Sequence, residues 1–167
     1  MKIENVPVKG LSSDEYEKTL KISWKPTLQY AWDNGIGIGK YLQSLKEGKI
    51  LAAYCEKCGR IMLPARAFCE MCFRPTDKYL PVKDTGTVNT FAICHVNWDA
   101  SRLKPDEPRY IPAVIEIDGA SPGQGIMHLL GNVEPAKVRI GMKVKAVWKP
   151  ADKREGSITD ILFFEPY

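Results

Sequence analysis

Two periodicities divide the chain. Near the N-terminus apolar residues recur at helical spacing, whereas beyond residue 85 they alternate with polar ones. Ser12 precedes SDEYEKTL, and Glu15 follows it by three residues, a capping-box pattern that predicts a short helix starting at about residue 13. A second helical stretch is expected at about Thr27 to Trp32, interrupted by the turn-forming Asp33-Asn34-Gly35. Tyr41, Leu42 and Leu45 then lie at helical spacing, with Gly48 placed as a C-terminal stop. Residues 1–48 thus read as two or three helices with too little core of their own, which must pack on something else.

In the second half, Thr87 to Val96 alternates. Val88, Thr90, Ala92, Cys94 and Val96 are expected on one face, and Asn89, Phe91, Ile93 and His95 on the other. Further β-rich runs follow at Tyr110–Ile117, Gly125–Val133, Met142–Trp148 and Ser157–Phe164. Five short strands without a helical crossover predict a small antiparallel barrel, and an OB-fold has that number. The helix usual between its third and fourth strands would fall at Glu134 to Ile140, an interval too short for much helix. The expected fold is mainly β with N-terminal helices, divided into a helical segment (1–48), a metal ribbon (49–80) and an OB-fold barrel (81–167).

The ribbon assignment rests on four cysteines spaced C-x2-C-x10-C-x2-C: Cys55, Cys58, Cys69 and Cys72. Each C-x-x-C can bend into a knuckle that aims two thiolates at one point, and two knuckles complete a tetrahedron. Gly59, directly after the first knuckle, suits the positive φ often needed there; Phe73 occupies the equivalent place in the second. The GRIMLPARAF between the knuckles is too short to build a core. Metal binding would supply its folding energy, roughly 10 to 16 kcal/mol for zinc in finger peptides. Four thiolates leave no open coordination position, so the expected zinc is structural; iron in the same tetrahedron is the alternative.

Composition adds bounds. With 44% hydrophobic and 26% charged residues the chain is an ordinary globular sequence. Its start lacks the apolar core of a signal peptide, and no stretch has the roughly 18 apolar residues of a membrane span, so a cytoplasmic protein with no membrane contact is expected. In a reducing compartment, paired cysteines point to metal rather than disulfides. The net charge of +4 is carried by the first 80 residues; from residue 81 onward eleven basic residues balance eleven acidic ones. A neutral binding domain makes nucleic acid an unfavoured partner, because polynucleotide grip comes mostly from clustered positive charge.

Other candidate sites are weaker. GIGIGK at residues 35–40 fails the phosphate-loop pattern, since Tyr41 follows the lysine and Asn34 stands where the first glycine belongs. It reads as a helix break whose small residues let another backbone, a ligand or a partner approach. Cys94 and His95 are neighbours on a predicted strand and point to opposite faces, so they do not make a catalytic dyad; Cys94 is expected in the core. His128 stands alone, and no catalytic constellation is visible. Lys143, Lys145 and Lys149 would share one face of the fourth barrel strand. That face is either a solvated sheet surface or a site for the phosphates of a polynucleotide or of coenzyme A. Phe91 and Trp98 are the nearest aromatic platforms for a ligand.

The order of these parts, with LKEGKILAAYCEKCGRIMLPARAFCEMC followed by DTGTVNTFAICHV, YIPAVIEIDG, RIGMKVKAVW and FFEP, resembles the acyl-CoA-associated (thiolase-associated) OB-fold proteins with a rubredoxin-like zinc ribbon. The likeness runs from about residue 36 to the end. It implies that Cys55, Cys58, Cys69 and Cys72 are the family's ribbon ligands. It also implies a non-catalytic scaffold that binds or channels acyl-CoA and bridges acetoacetyl-CoA thiolase and 3-hydroxy-3-methylglutaryl-CoA synthase. The ligand candidates Lys143, Lys145, Phe91 and Trp98 come from side-chain chemistry alone. A single-stranded nucleic-acid-binding OB-fold is the alternative reading.

Overall fold

A computed structural model describes residues 10–20, 25–97 and 99–167. It resolves into two compact units, residues 1–33 and residues 34–167.

In the first unit, helix α1 (Ser13–Leu20) begins with the predicted capping box. The Glu15 carboxylate accepts from the Ser12 N–H at 2.8 Å, and the Ser12 hydroxyl accepts from the Glu15 N–H at 3.3 Å. The helix expected at Thr27 to Trp32 does not form: residues 25–34 carry no regular secondary structure. Pro26 can only begin a helix, and the large apolar residues that follow, Leu28, Tyr30 and Trp32, repeat every second residue. All three are exposed, so no buried face is present to stabilise a short helix.

The second unit opens with helix α2 (Gly35–Lys46), so GIGIGK lies within a helix instead of breaking one. The close approach expected there is nevertheless real. A Cβ on Gly37 would lie 2.8 Å from the Arg66 backbone. Tyr41 and Leu45, one and two turns further on, are buried on the same side. The helix ends at Gly48, φ 76°, where the Gly48 N–H bonds the Leu45 carbonyl and the Lys49 N–H bonds the Ser44 carbonyl. That pair of bonds is a Schellman termination, and it allows the chain to turn directly into strand β1.

Strands β1 (Ile50–Tyr54), β2 (Ile61–Met62) and β3 (Lys78–Val82) form the ribbon sheet, in order β2-β1-β3. Five further strands follow: β4 (Thr85–Phe91), β5 (Pro112–Ile117), β6 (Gly125–Leu129), β7 (Lys143–Trp148) and β8 (Ile161–Pro166). Their order is β6-β5-β4-β7-β8, all antiparallel. A parallel bridge between Leu130 and Phe164, with the Gly131 N–H bonded to the Phe164 carbonyl at 2.9 Å, brings the two ends together. This is a five-stranded OB barrel, and Val88, Ile115, Val144, Ile161 and Phe164 fill it. Between β6 and β7 the interval expected to hold little helix contains one 3-10 turn, Pro135–Lys137.

One expected alternation fails for a local reason. The pairing of β4 with β5 slips between Val88 and Thr90, making Asn89 a bulge. Val88 opposes Ile115, but Phe91 opposes Ala113, and both partners are buried. Phe91 therefore joins the Val88 face instead of lying opposite it, because an extra residue inverts every later position. Regular pairing stops at Phe91, and Cys94 is half-buried where a core position was expected.

Candidate metal centre and ligand surfaces

The two knuckles fold alike. In the first, the Gly59 N–H bonds the Cys55 carbonyl and the Cys55 N–H bonds the Arg60 carbonyl; in the second, Phe73, Cys69 and Arg74 repeat both bonds. Gly59 has φ 71° and Phe73 has φ 50°, so both knuckles use the left-handed conformation that favours glycine. The repeated geometry brings the four cysteines together, with all four Sγ atoms within 4.8 Å of one another and Cys58 Sγ 3.6 Å from Cys69 Sγ. Zinc–thiolate bonds of about 2.3 Å require sulfur separations of roughly 3.8 Å, so the cluster fits a tetrahedral ion.

The thiols themselves favour a cation. Burial is the largest single influence on Cys69 and pushes its thiol up, but the Cys72 and Met71 N–H groups and the Cys58 and Cys55 thiols together bring it down to about 7. Cys72 moves the other way, to about 12, first through its contact with the Cys58 thiol and then through burial. The Cys69 thiolate is thus favoured while that of Cys72 is disfavoured, and a divalent ion is what lets neighbouring thiolates coexist. Zinc held by Cys55, Cys58, Cys69 and Cys72 would supply folding energy and no open coordination position.

A polar relay fixes the ribbon to the barrel. Glu70, between the ligands of the second knuckle, accepts from Arg60 Nε at 2.7 Å and from Arg66 at 2.6 Å. Buried Gln124, just before β6, donates to Glu70 at 3.2 Å and accepts the Leu63 N–H at 3.1 Å. Ser121 completes the joint: its hydroxyl accepts the Ile61 N–H and its own N–H donates to the Ile61 carbonyl, each at 2.9 Å. Neither Gln124 nor Ser121 is flagged by any motif.

The ligand candidates do not converge. Lys143 and Lys145 project outward from β7, where Lys143 donates to the Thr87 hydroxyl at 2.7 Å and lies 3.7 Å from the Asp118 carboxylate. Lys145 stands opposite Thr85 on one side and Glu165 on the other. Phe91 lies on the opposite face of β4 and is partly buried against the core. Trp98 falls outside the described residues. Lys143 does, however, line an open cleft of about 720 Å³ together with Lys137, Arg139 and Tyr167. His128 is accounted for by the barrel seam, with Nε2 3.3 Å from the Ile158 carbonyl oxygen and its ring edge-on to Phe164.

This architecture is that of a zinc ribbon joined to an OB-fold. Residues 42–77 match the ChsH2 rubredoxin-like zinc ribbon domain and residues 79–149 match the ChsH2 C-terminal OB-fold domain, so the chain belongs to the ChsH2-type ribbon and OB-fold (DUF35) family. A relative in Methanocaldococcus jannaschii, described as a DUF35 domain-containing scaffold protein, is 29% identical over 120 residues, covering 70% of this chain and 81% of the relative. A DUF35-family protein of unknown function from Sulfolobus solfataricus has a similar structure, with TM-score 0.55 and 28% identity over 65% of this chain and 75% of its own. The Ltp2-ChsH2(DUF35) aldolase shares the fold, with TM-score 0.56 and 20% identity over 85% of this chain and 98% of the matched chain. Among the described residues no helix is long and apolar enough to cross a membrane.

Proposed function

We propose that this protein is a non-catalytic accessory subunit whose four cysteines hold structural zinc, and that it works beside a thiolase-type enzyme acting on acyl-CoA. The observation that carries this reading is the Gln124–Glu70 joint. It ties the metal knuckle to the barrel, so the ribbon and OB domain can act as one rigid adaptor. The scaffold description of the M. jannaschii relative and the aldolase assembly named for the ChsH2 neighbour support the same role. Bridging of acetoacetyl-CoA thiolase to 3-hydroxy-3-methylglutaryl-CoA synthase is the specific form that the family resemblance favours.

The cleft bearing Lys137, Arg139 and Lys143 is the surface we assign to the phosphate groups of coenzyme A. Lys137 is paired there with Glu134 at 2.9 Å and Lys143 lies 3.7 Å from Asp118, but both lysines are well exposed, so a phosphate can displace these weak pairs and bind beside Arg139 on a concave floor. The test is calorimetric titration of CoA into the complex with a thiolase-type enzyme. The expected result is saturable binding that weakens at least fivefold in Arg139→Ala. Equal binding by the variant removes the cleft from the account, and acyl-CoA turnover by the isolated chain overturns the non-catalytic role.

A further inference from the structure

The chain contains its own control for one surface. The first knuckle reads CEKCGR and the second CEMCFR, at residues 55–60 and 69–74. Their backbone hydrogen bonds are the same, and their sequences differ at only two positions: Lys57 becomes Met71 and Gly59 becomes Phe73. Both changes replace a residue suited to a solvated turn with a large apolar one. Neither replacement is buried, since Met71 is 66% exposed and Phe73 88%. Phe68, at the base of the same hairpin, is 60% exposed. Hydrogen bonds from Thr76 to Ala67, Cys69 to Arg74 and Phe73 to Cys69 close that hairpin around all three side chains.

Phe73 holds φ 50°, a conformation that disfavours a side chain, and gains no internal packing in return. The knuckle itself dictates that φ, as it does at Gly59, so the feature without an internal reason is a phenylalanine where glycine would serve, exposed beside two further large apolar side chains. The charges nearby say which kind. Arg60 and Arg66 are paired with Glu70, and Arg74 with Asp77, leaving these guanidinium groups committed rather than free for phosphates. An anionic membrane surface or a polynucleotide is therefore a poor match, whereas an uncharged apolar recess on a protein is a good one. In tip-to-tip contact with a second copy these three side chains would have to carry the whole interface, short of the roughly 800 Å² per partner of a standard one, whereas in an accessory subunit they need supply only part of a larger contact.

We infer that the second knuckle, through Met71 and Phe73 with Phe68 beside them, is a hydrophobic plug that docks into an apolar recess of the partner enzyme. The metal centre is then also the rigid mount of an interface, with the aromatic residue presented in advance at small entropic cost. This rests on the accessory-subunit reading above.

The test grafts the first knuckle onto the second. Met71→Lys with Phe73→Gly should keep one bound zinc per chain and a melting temperature no lower than the parent's, because glycine suits the left-handed position. Affinity for a purified thiolase-type enzyme, measured by calorimetry against the unaltered chain, should fall at least tenfold. Lys57→Met with Gly59→Phe, in the first knuckle, should not improve binding. If the unaltered chain binds and the grafted variant binds equally well, the plug is refuted and the accessory role stands. If the unaltered chain binds no such enzyme, both fall. Loss in the grafted variant of self-association by sedimentation, or of binding to phosphatidylserine vesicles, with enzyme affinity unchanged, reassigns the knuckle and overturns the inference.

Discussion

Gln124 Nε2 lies 3.2 Å from Glu70 Oε1, so a barrel residue touches the carboxylate set between two metal-ligand cysteines. The same Gln124 takes the Leu63 N–H with its carbonyl oxygen, and it is almost completely buried. Gln124→Ala strands that N–H and removes a donor to Glu70. The expected cost is about 2 kcal/mol, since a buried group left without its partner loses its full desolvation energy. Denaturant unfolding measures this. Hydrogen exchange should show the loss concentrated in residues 50–82, with zinc stoichiometry unchanged.

Gly37 and Gly39 offer a paired test on one helix. A Cβ at Gly37 would stand 2.8 Å from the Arg66 backbone, whereas one at Gly39 meets nothing within 4 Å. Gly37→Ala is expected to destabilise by about 1 to 3 kcal/mol through forced separation of α2 from the ribbon. Gly39→Ala is expected to stabilise by up to about 1 kcal/mol through helix propensity. Equal melting temperatures for the two variants would contradict the packing described.

Asp160 governs acid behaviour at the barrel's last turn. It is fully buried, and its carboxylate accepts N–H groups from Glu155, Gly156 and Ser157 at 2.7 to 3.0 Å. Burial, the largest influence, pushes its pKa up, but those bonds and Lys149 outweigh it and hold the group below its ordinary value. A depressed folded pKa contributes stability that is complete above the unfolded value near 4 and is lost as pH falls through the folded value. Asp160→Asn should flatten the part of the stability profile below about pH 4, and it should cost about 3 kcal/mol at neutral pH by setting an amide against N–H donors.

Metal removal should unfold the ribbon selectively. Strong chelation, or Cys69→Ser, is expected to abolish protection of residues 50–82 while the barrel strands from β4 to β8 retain theirs, because those strands pair with one another in a five-stranded sheet that carries no metal ligand. Hydrogen exchange followed by mass spectrometry reads both regions in one experiment. Simultaneous collapse of the barrel would show that the Gln124 and Ser121 joint couples them more tightly than described.

Much of this molecule is written locally. The cysteine spacing named the cluster because two C-x-x-C turns carry their geometry within six residues, and the capping box at Ser12 is equally self-contained. The barrel strands followed from alternation and turn residues. What escaped depends on distant partners. Asn89 bulges because β5 pairs with β4 out of step, and that slip carries Phe91 to the core face. Gln124 and Glu70 are separated by 54 positions, and no spacing predicts their bond. The absence of the helix expected at residues 27–32 has a local cause: the large apolar residues there repeat with a period of two after a proline, which does not build a helical face.

The accessory role is tested most directly by sedimentation velocity on the zinc-loaded chain mixed with a thiolase-type enzyme from its own organism. A single faster boundary containing both proteins at fixed stoichiometry is the predicted result. Two boundaries that sediment independently at every ratio, up to concentrations of about 100 μM, would contradict it.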